Sequence, residues 1–128
     1  MNAALLDTHV LLWWLQGGRN LSLQARTIVG DSETKLLVSA ASAWEIAIKF
    51  KAGKLDAGGL VARFHAILEE NHFMELPISA THAIRAGLLE DSHKDPFDRM
   101  LIAQAQLEKI PIVSNDKVFD RFSIRRLW

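Results

Sequence analysis

Leu36-Leu37-Val38-Ser39-Ala40-Ala41-Ser42-Ala43-Trp44-Glu45-Ile46-Ala47-Ile48-Lys49-Phe50-Lys51-Ala52-Gly53 is the stretch that decides the fold. Its first four residues form a short apolar run, which predicts a buried strand. The chain then passes directly into a helix expected from about Ala41 to Lys51, with Gly53 where a C-cap falls. The same unit opens the chain. Ala3 to Leu6 predicts a strand ending at Asp7, and Val10 to Gln16 a very apolar helix stopped by Gly17-Gly18.

Working outward, Leu21, Ala25, Ile28 and Val29 follow helical spacing, and Gly30 closes that segment. Another helix is expected over roughly Leu60 to Asn71, then a strand from Met74 to Ile78. Ser79 is a natural N-cap for a helix from Ala80 to Leu89. Asp95-Pro96 marks a strong helix start running to about Lys109, because Asp caps and Pro suits the first turn. Ile110 to Ser114 predicts a fourth strand and Ser123 to Leu127 an edge strand. Strands alternating with helices favour a parallel sheet covered on both faces. The expected fold class is α/β: a three-layer α/β/α domain with a mainly parallel central sheet, spanning residues 1–128 as a single unit.

Composition narrows the function classes. Nearly half the residues are hydrophobic and 23% are charged, an ordinary globular balance. There is no cysteine, which excludes disulfides and thiolate metal sites. No apolar stretch approaches the roughly 20 residues needed to span a bilayer, so no membrane partner is expected. The first residues lack a basic region and Asp7 interrupts their apolar run, so a cytoplasmic protein without a signal peptide is expected. Fifteen basic and fifteen acidic residues cancel. That disfavours a protein coating nucleic acid nonspecifically but permits an enzyme that grips a few phosphates locally.

Ligands of open parallel sheets bind beyond the carboxyl ends of the strands. Asp7 directly follows the first predicted strand, and Asp116 follows the fourth within Ser114-Asn115-Asp116. Glu45 is expected in about the first turn of the helix after the second strand, and Asp98 in the first turn of its own helix. Each has a plainer reading too. Asp7 and Asp116 can cap the segments that follow them, and Ser42-Ala43-Trp44-Glu45 fits a capping box. Glu45 can also pair with Lys49 one turn on. Yet Glu45 sits among apolar neighbours, where an isolated charge is costly. Two carboxylates about 4 Å apart repel by roughly 4 kcal/mol at an effective dielectric of 20. Four converging acids are resolved by a divalent cation, and oxygen-only ligands suit Mg²⁺ or Mn²⁺.

Other residues keep two readings. His65, His72 and His82 are expected at the surface or partly buried, whereas His9 and His93 are placed to touch the site's surroundings. Lys49, Lys51 and Lys54 form one basic group and Arg121, Arg125 and Arg126 another; each is either a phosphate contact or a solvated face. Arg99 can point away from the acids or pair with one. Trp13 and Trp14 point to different parts of a helix, so one of them is a candidate for an interface with a second copy or another protein.

Taken in order, Leu5-Leu6-Asp7-Thr8-His9-Val10, Ser42-Ala43-Trp44-Glu45-Ile46, His93-Lys94-Asp95-Pro96-Phe97-Asp98-Arg99-Met100-Leu101-Ile102-Ala103-Gln104-Ala105 and Ile112-Val113-Ser114-Asn115-Asp116 closely resemble PIN domains. Among these they are similar to the VapC-type toxins of toxin–antitoxin pairs. The resemblance implies a PIN fold, Mg²⁺- or Mn²⁺-dependent endoribonuclease activity and inhibition by a cognate antitoxin. It also implies that Asp7, Glu45, Asp98 and Asp116 form the metal-binding cluster. Thr8 stands where the family often has a supporting hydroxyl, and Ser114 where it commonly has Thr. Asp95 is either an N-cap or an outer support of the metal. A homodimer is expected as well. The competing readings are a structure-specific DNA nuclease, for which this chain lacks an obvious arch or clamp, and a PIN-like binding module without turnover.

Overall fold

Strand β1 (Ala3–Leu6) is the middle strand of a wholly parallel sheet in a computed structural model that describes residues 2–128. After it the chain runs through α1 (Thr8–Leu15), α2 (Leu23–Val29), β2 (Lys35–Ser39), α3 (Ala40–Lys51), α4 (Gly58–Ala62) and α5 (Phe64–Glu70). It continues through β3 (Phe73–Leu76), α6 (Ala80–Leu88), α7 (Pro96–Glu108), β4 (Ile112–Val113), a 3-10 helix (Lys117–Arg121) and β5 (Arg126–Leu127). Among the described residues the strand order is β3-β2-β1-β4-β5. β1 therefore lies where the order reverses, with β2 on one side and β4 on the other. That is the position at which an open parallel sheet leaves a crevice at its carboxyl edge.

Alternation along the strands sorts the core into two layers. Ala4, Leu6, Leu36, Val38 and Val113 face one way, onto Val10, Leu11, Ala25, Ile46, Leu60 and Leu68 from α1 to α5. Leu5, Leu37 and Ile112 face the other, onto Leu101, Ile102 and Ala105 of α7 and onto Phe119. The register pairs Leu5 with both Leu37 and Ile112, so the second layer is continuous across three strands. This is the expected three-layer arrangement. No described helix is long and apolar enough to cross a membrane.

The structure corrects several expected boundaries. The helix expected over Leu60 to Asn71 is two short ones, broken at Arg63, whose backbone (φ −126°, ψ 33°) leaves helical geometry. β4 spans two residues rather than five. Lys109 closes α7 in the left-handed conformation and Pro111 has no N–H for the ladder. β5 likewise shrinks to Arg126–Leu127, and β3 stops before Pro77. His82, expected at the surface or partly buried, is buried. Its Nδ1 accepts from the Ser79 backbone N–H (3.1 Å) and its Nε2 meets Glu108 Oε2 (2.9 Å), completing the cap of α6. Both adjacent tryptophans are half-buried: Trp14 packs on Phe73 and donates to Asn71, while Trp13 lies between His9 and Trp128. The most exposed tryptophan is Trp44, at 60%.

Candidate active site

Asp7 and Ser114 are the first residues beyond β1 and β4, and the crevice is built around them. The Asp7 N–H donates to the Val113 carbonyl (3.0 Å), which carries the ladder one step past the strand. Asp7 is the N-cap of α1, yet its carboxylate makes no capping bond. Instead Oδ2 accepts from the buried Ser114 hydroxyl at 2.7 Å. Only 5% of Asp7 is exposed. Burial pushes its pKa up and the charge of Glu45 adds to the rise; the Ser114 bond and His9 oppose them.

Glu45 lies in the second turn of α3, not the first. The N-cap is Ser39, whose hydroxyl accepts from the Ala41 N–H, so the alternative reading of a capping box at Ser42 is not the one the helix adopts. The Ser42 hydroxyl is instead 2.7 Å from that of Thr8. This buried bond clips α1 to α3 and holds the elements carrying Asp7 and Glu45 together. Thr8 is thus a positioning residue. Glu45 is buried and meets Lys49 Nζ at 2.6 Å, the pairing expected from their spacing.

Asp98 occupies the first turn of α7, as expected. Asp95 caps that helix, its Oδ1 accepting from the N–H groups of Phe97 (2.9 Å) and Asp98 (3.2 Å). The cap reading of Asp95 is therefore the one its geometry supports. Burial raises the Asp98 pKa to about 6 despite a 2.8 Å bond to His93 Nε2, and the charges of Asp95 and Asp7 push the same way. His93 thus reaches the site; His9 is exposed at its margin.

Asp116 is placed differently. It is exposed and caps the 3-10 helix, its Oδ1 accepting from the Val118 N–H. Its own N–H donates to Ser114 Oγ at 3.0 Å, so Ser114 joins Asp116 to Asp7 in one chain of hydrogen bonds. Asp7 interacts through its charge with Glu45 and with Asp98, whereas Asp116 joins Asp7 at one remove, through Ser114. Among the described residues no group of three or more acids or histidines closes into a ready-made metal-ligand set.

The donor chemistry nonetheless fits a hard divalent cation. The set is all oxygen, and Asp7 and Asp98 are desolvated acids that each gain a further rise from a neighbouring carboxylate. A cation at their junction relieves that repulsion.

Three further arginines are committed to partners. Arg99, a candidate partner for an acid, instead donates to four carbonyls: Ala86 (3.1 Å), Leu89 (2.7 Å), Asp91 (3.1 Å) and His93 (3.0 Å). It holds the loop before Asp98 in shape. Nothing in its sequence neighbourhood signalled that role, since its acceptors are backbone atoms. Arg121 pairs with Asp91, and Arg126 with Asp120 and the Ser114 carbonyl.

A pH dependence follows. The folded pKa of Asp98 is raised above its ordinary value of 3.8, so between about 4 and 6 the folded chain binds a proton that the unfolded chain lacks. Asp7 acts in the same direction. The burden of Asp98 on the fold is full above about pH 6 and lifts as pH falls. In the presence of a chelator, the melting temperature should rise between pH 7 and pH 5. Asp98→Asn should flatten that rise; an unchanged slope in the variant would exclude Asp98 as its source.

The PIN domain family model matches residues 4–124. The fold is similar to that of DNA-bound VapBC from Salmonella typhimurium (TM-score 0.66, 20% identity, 98% of this chain and 97% of that one). It is also similar to VapBC2 from Rickettsia felis bound to a promoter DNA fragment (0.69, 13%, 97% and 96%). FitAcB from Neisseria gonorrhoeae is a third such structure (0.63, 18%, 96% and 95%). Among curated proteins none matches this chain.

Proposed function

This chain belongs to the PIN domain family, a family of nucleases, and from that premise we propose that it is a divalent-metal-dependent endoribonuclease. In this reading it is the cytoplasmic toxin of a type II toxin–antitoxin pair, restrained by a cognate antitoxin. The observation that carries the reading is the set of acids at the carboxyl edge where the strand order reverses, in which Asp7 is repelled by Glu45 and in turn repels Asp98. The toxin–antitoxin complexes among the similar folds support the partner class.

Asp7, Glu45, Asp98 and Asp116 would hold Mg²⁺ or Mn²⁺. When bound, such a cation supplies Lewis-acid stabilisation of charge growing on a phosphodiester and activates water for attack. The chain's own groups prepare the site. Ser114 orients the Asp7 carboxylate, the Thr8–Ser42 clip fixes α1 against α3, and His93 holds Asp98. Lys49 balances part of the charge of Glu45. No covalent nucleophile from the protein is required.

A second copy is the proposed cover for the exposed apolar side chains Ile84 and Leu88, one turn apart on α6, and Trp44. The test combines both claims. Protein shown by sedimentation to be a dimer is offered single-stranded RNA and branched DNA in parallel. RNA should be cut with Mg²⁺ or Mn²⁺ and spared with a chelator. Cleavage of the DNA alone, or cleavage undiminished by chelation, would contradict the reading.

A further inference from the structure

We propose that the notch between α1 and the C-terminal half of α3 is a subsite for one unpaired nucleotide flanking the scissile phosphate. The proposal rests on the ribonuclease reading and assigns that enzyme a single-stranded substrate. The notch has a volume of about 330 Å³, at the lower end of the roughly 300–1,000 Å³ typical of ligand clefts. Glu45 lines it, so it opens directly beside the acidic site.

The other lining groups divide by chemistry. His9 and Trp13 stand one turn apart on α1 with ring centroids 5.8 Å apart, and Trp13 is backed by Trp128 at 6.1 Å. Trp13 is half-buried, so its ring is braced while part of it faces the notch. A braced aromatic face suits stacking by a base, which needs that base free of a duplex. Opposite stand Lys49 and Lys54, brought to one wall where the Lys54 N–H donates to the Lys49 carbonyl around Gly53 (φ +74°). Lys49 sits at the junction with the acids, through Glu45. Lys54 is exposed and has no carboxylate partner among the described residues. Gln16 adds an exposed amide at the rim.

Charge adds to the placement: Lys54 has no carboxylate partner among the described residues, whereas Arg63, Arg121 and Arg126 are tied to carboxylates. Lys54 beside an aromatic wall, with Lys49 paired to Glu45 at the junction with the acids, is what a phosphate and its base would meet together.

The test measures binding of a labelled five-nucleotide single-stranded RNA by fluorescence anisotropy, with a chelator present so that nothing is cut. Trp13→Leu should weaken binding at least about fivefold, the low end for a lost base–aromatic stack, while Trp13→Phe should stay within about threefold. Lys54→Ala, at an exposed position that leaves the fold intact, should weaken it about threefold or more. Lys35→Ala, at the opposite end of the sheet, should bind like the parent protein. An RNA duplex should bind more weakly than the single strand. Lys54→Ala binding unchanged, or duplex binding equal to single strand, would overturn the subsite; if Trp13→Leu fails to fold, Lys54→Ala decides. A parent protein that cuts RNA while all variants bind equally refutes the subsite alone. A parent protein that neither binds nor cuts RNA refutes the ribonuclease reading, and the subsite with it.

Discussion

Replacing Asp7 with Asn should lower RNA cleavage by at least about a thousandfold, the scale of several kcal/mol of lost transition-state stabilisation, and should raise the melting temperature of the metal-free protein. The two effects have one cause. Asp7 is nearly sealed from water, its pKa is raised by burial and by Glu45, and one hydroxyl, that of Ser114, helps it carry charge. Burial and the charge of Glu45 disfavour the charged form in the folded state, whereas the unfolded chain ionises the group freely. That difference is a cost to the fold, and the neutral amide removes it. The amide oxygen can still accept the Ser114 bond, so the local structure is kept. Cleavage assays with Mn²⁺ and thermal melts with a chelator read the two effects. A variant that lost activity only because it unfolded would melt lower, not higher.

Arg99→Ala should destabilise the protein by roughly 2–4 kcal/mol, the range for breaking a charged hydrogen-bond hub that leaves acceptors unpaired. The guanidinium bridges the end of α6, the following loop and the carbonyl of His93, all within thirteen residues before it. Without it, the loop that presents His93 to Asp98 loses its common anchor. Cleavage should therefore fall along with stability. Arg99→Lys should not rescue either property, because one ammonium cannot match the planar fork that spans four carbonyls. Urea unfolding of both variants decides the matter. Full stability of Arg99→Lys would mean that charge alone, not the fork, organises the loop.

The contrast between Asp98 and Glu45 shows how far local sequence carries. Asp95-Pro96 caps its helix through bonds to residues two and three positions on, so the start of α7 and the place of Asp98 were legible. The strand–helix alternation was legible for the same reason, since apolar runs and caps are near-neighbour signals. Glu45 was expected in about the first turn and lies in the second; Ser42, which looks like a cap, has its hydroxyl taken by Thr8, 34 residues away in sequence. The burial of His82 likewise involves a distant partner, Glu108, 26 residues on, whereas the shortening of β4 follows from Lys109 and Pro111 beside it. Asp116 is the instructive case among the acids. Its position after β4 was foreseen, but the choice between facing the crevice and capping the next helix was not, and its carboxylate caps. Arg99 was visible as a cation beside Asp98, while its acceptors, being backbone carbonyls, have no residue signature.

The central claim is that Asp7, Glu45, Asp98 and Asp116 form one cation-binding site. Calorimetric titration of Mn²⁺ into the metal-free protein, with Asp7→Asn alongside, tests it most directly. Saturable binding by the parent chain that is lost or greatly weakened in the variant is the predicted result. No binding by the parent chain, or equal binding by both, would contradict the claim.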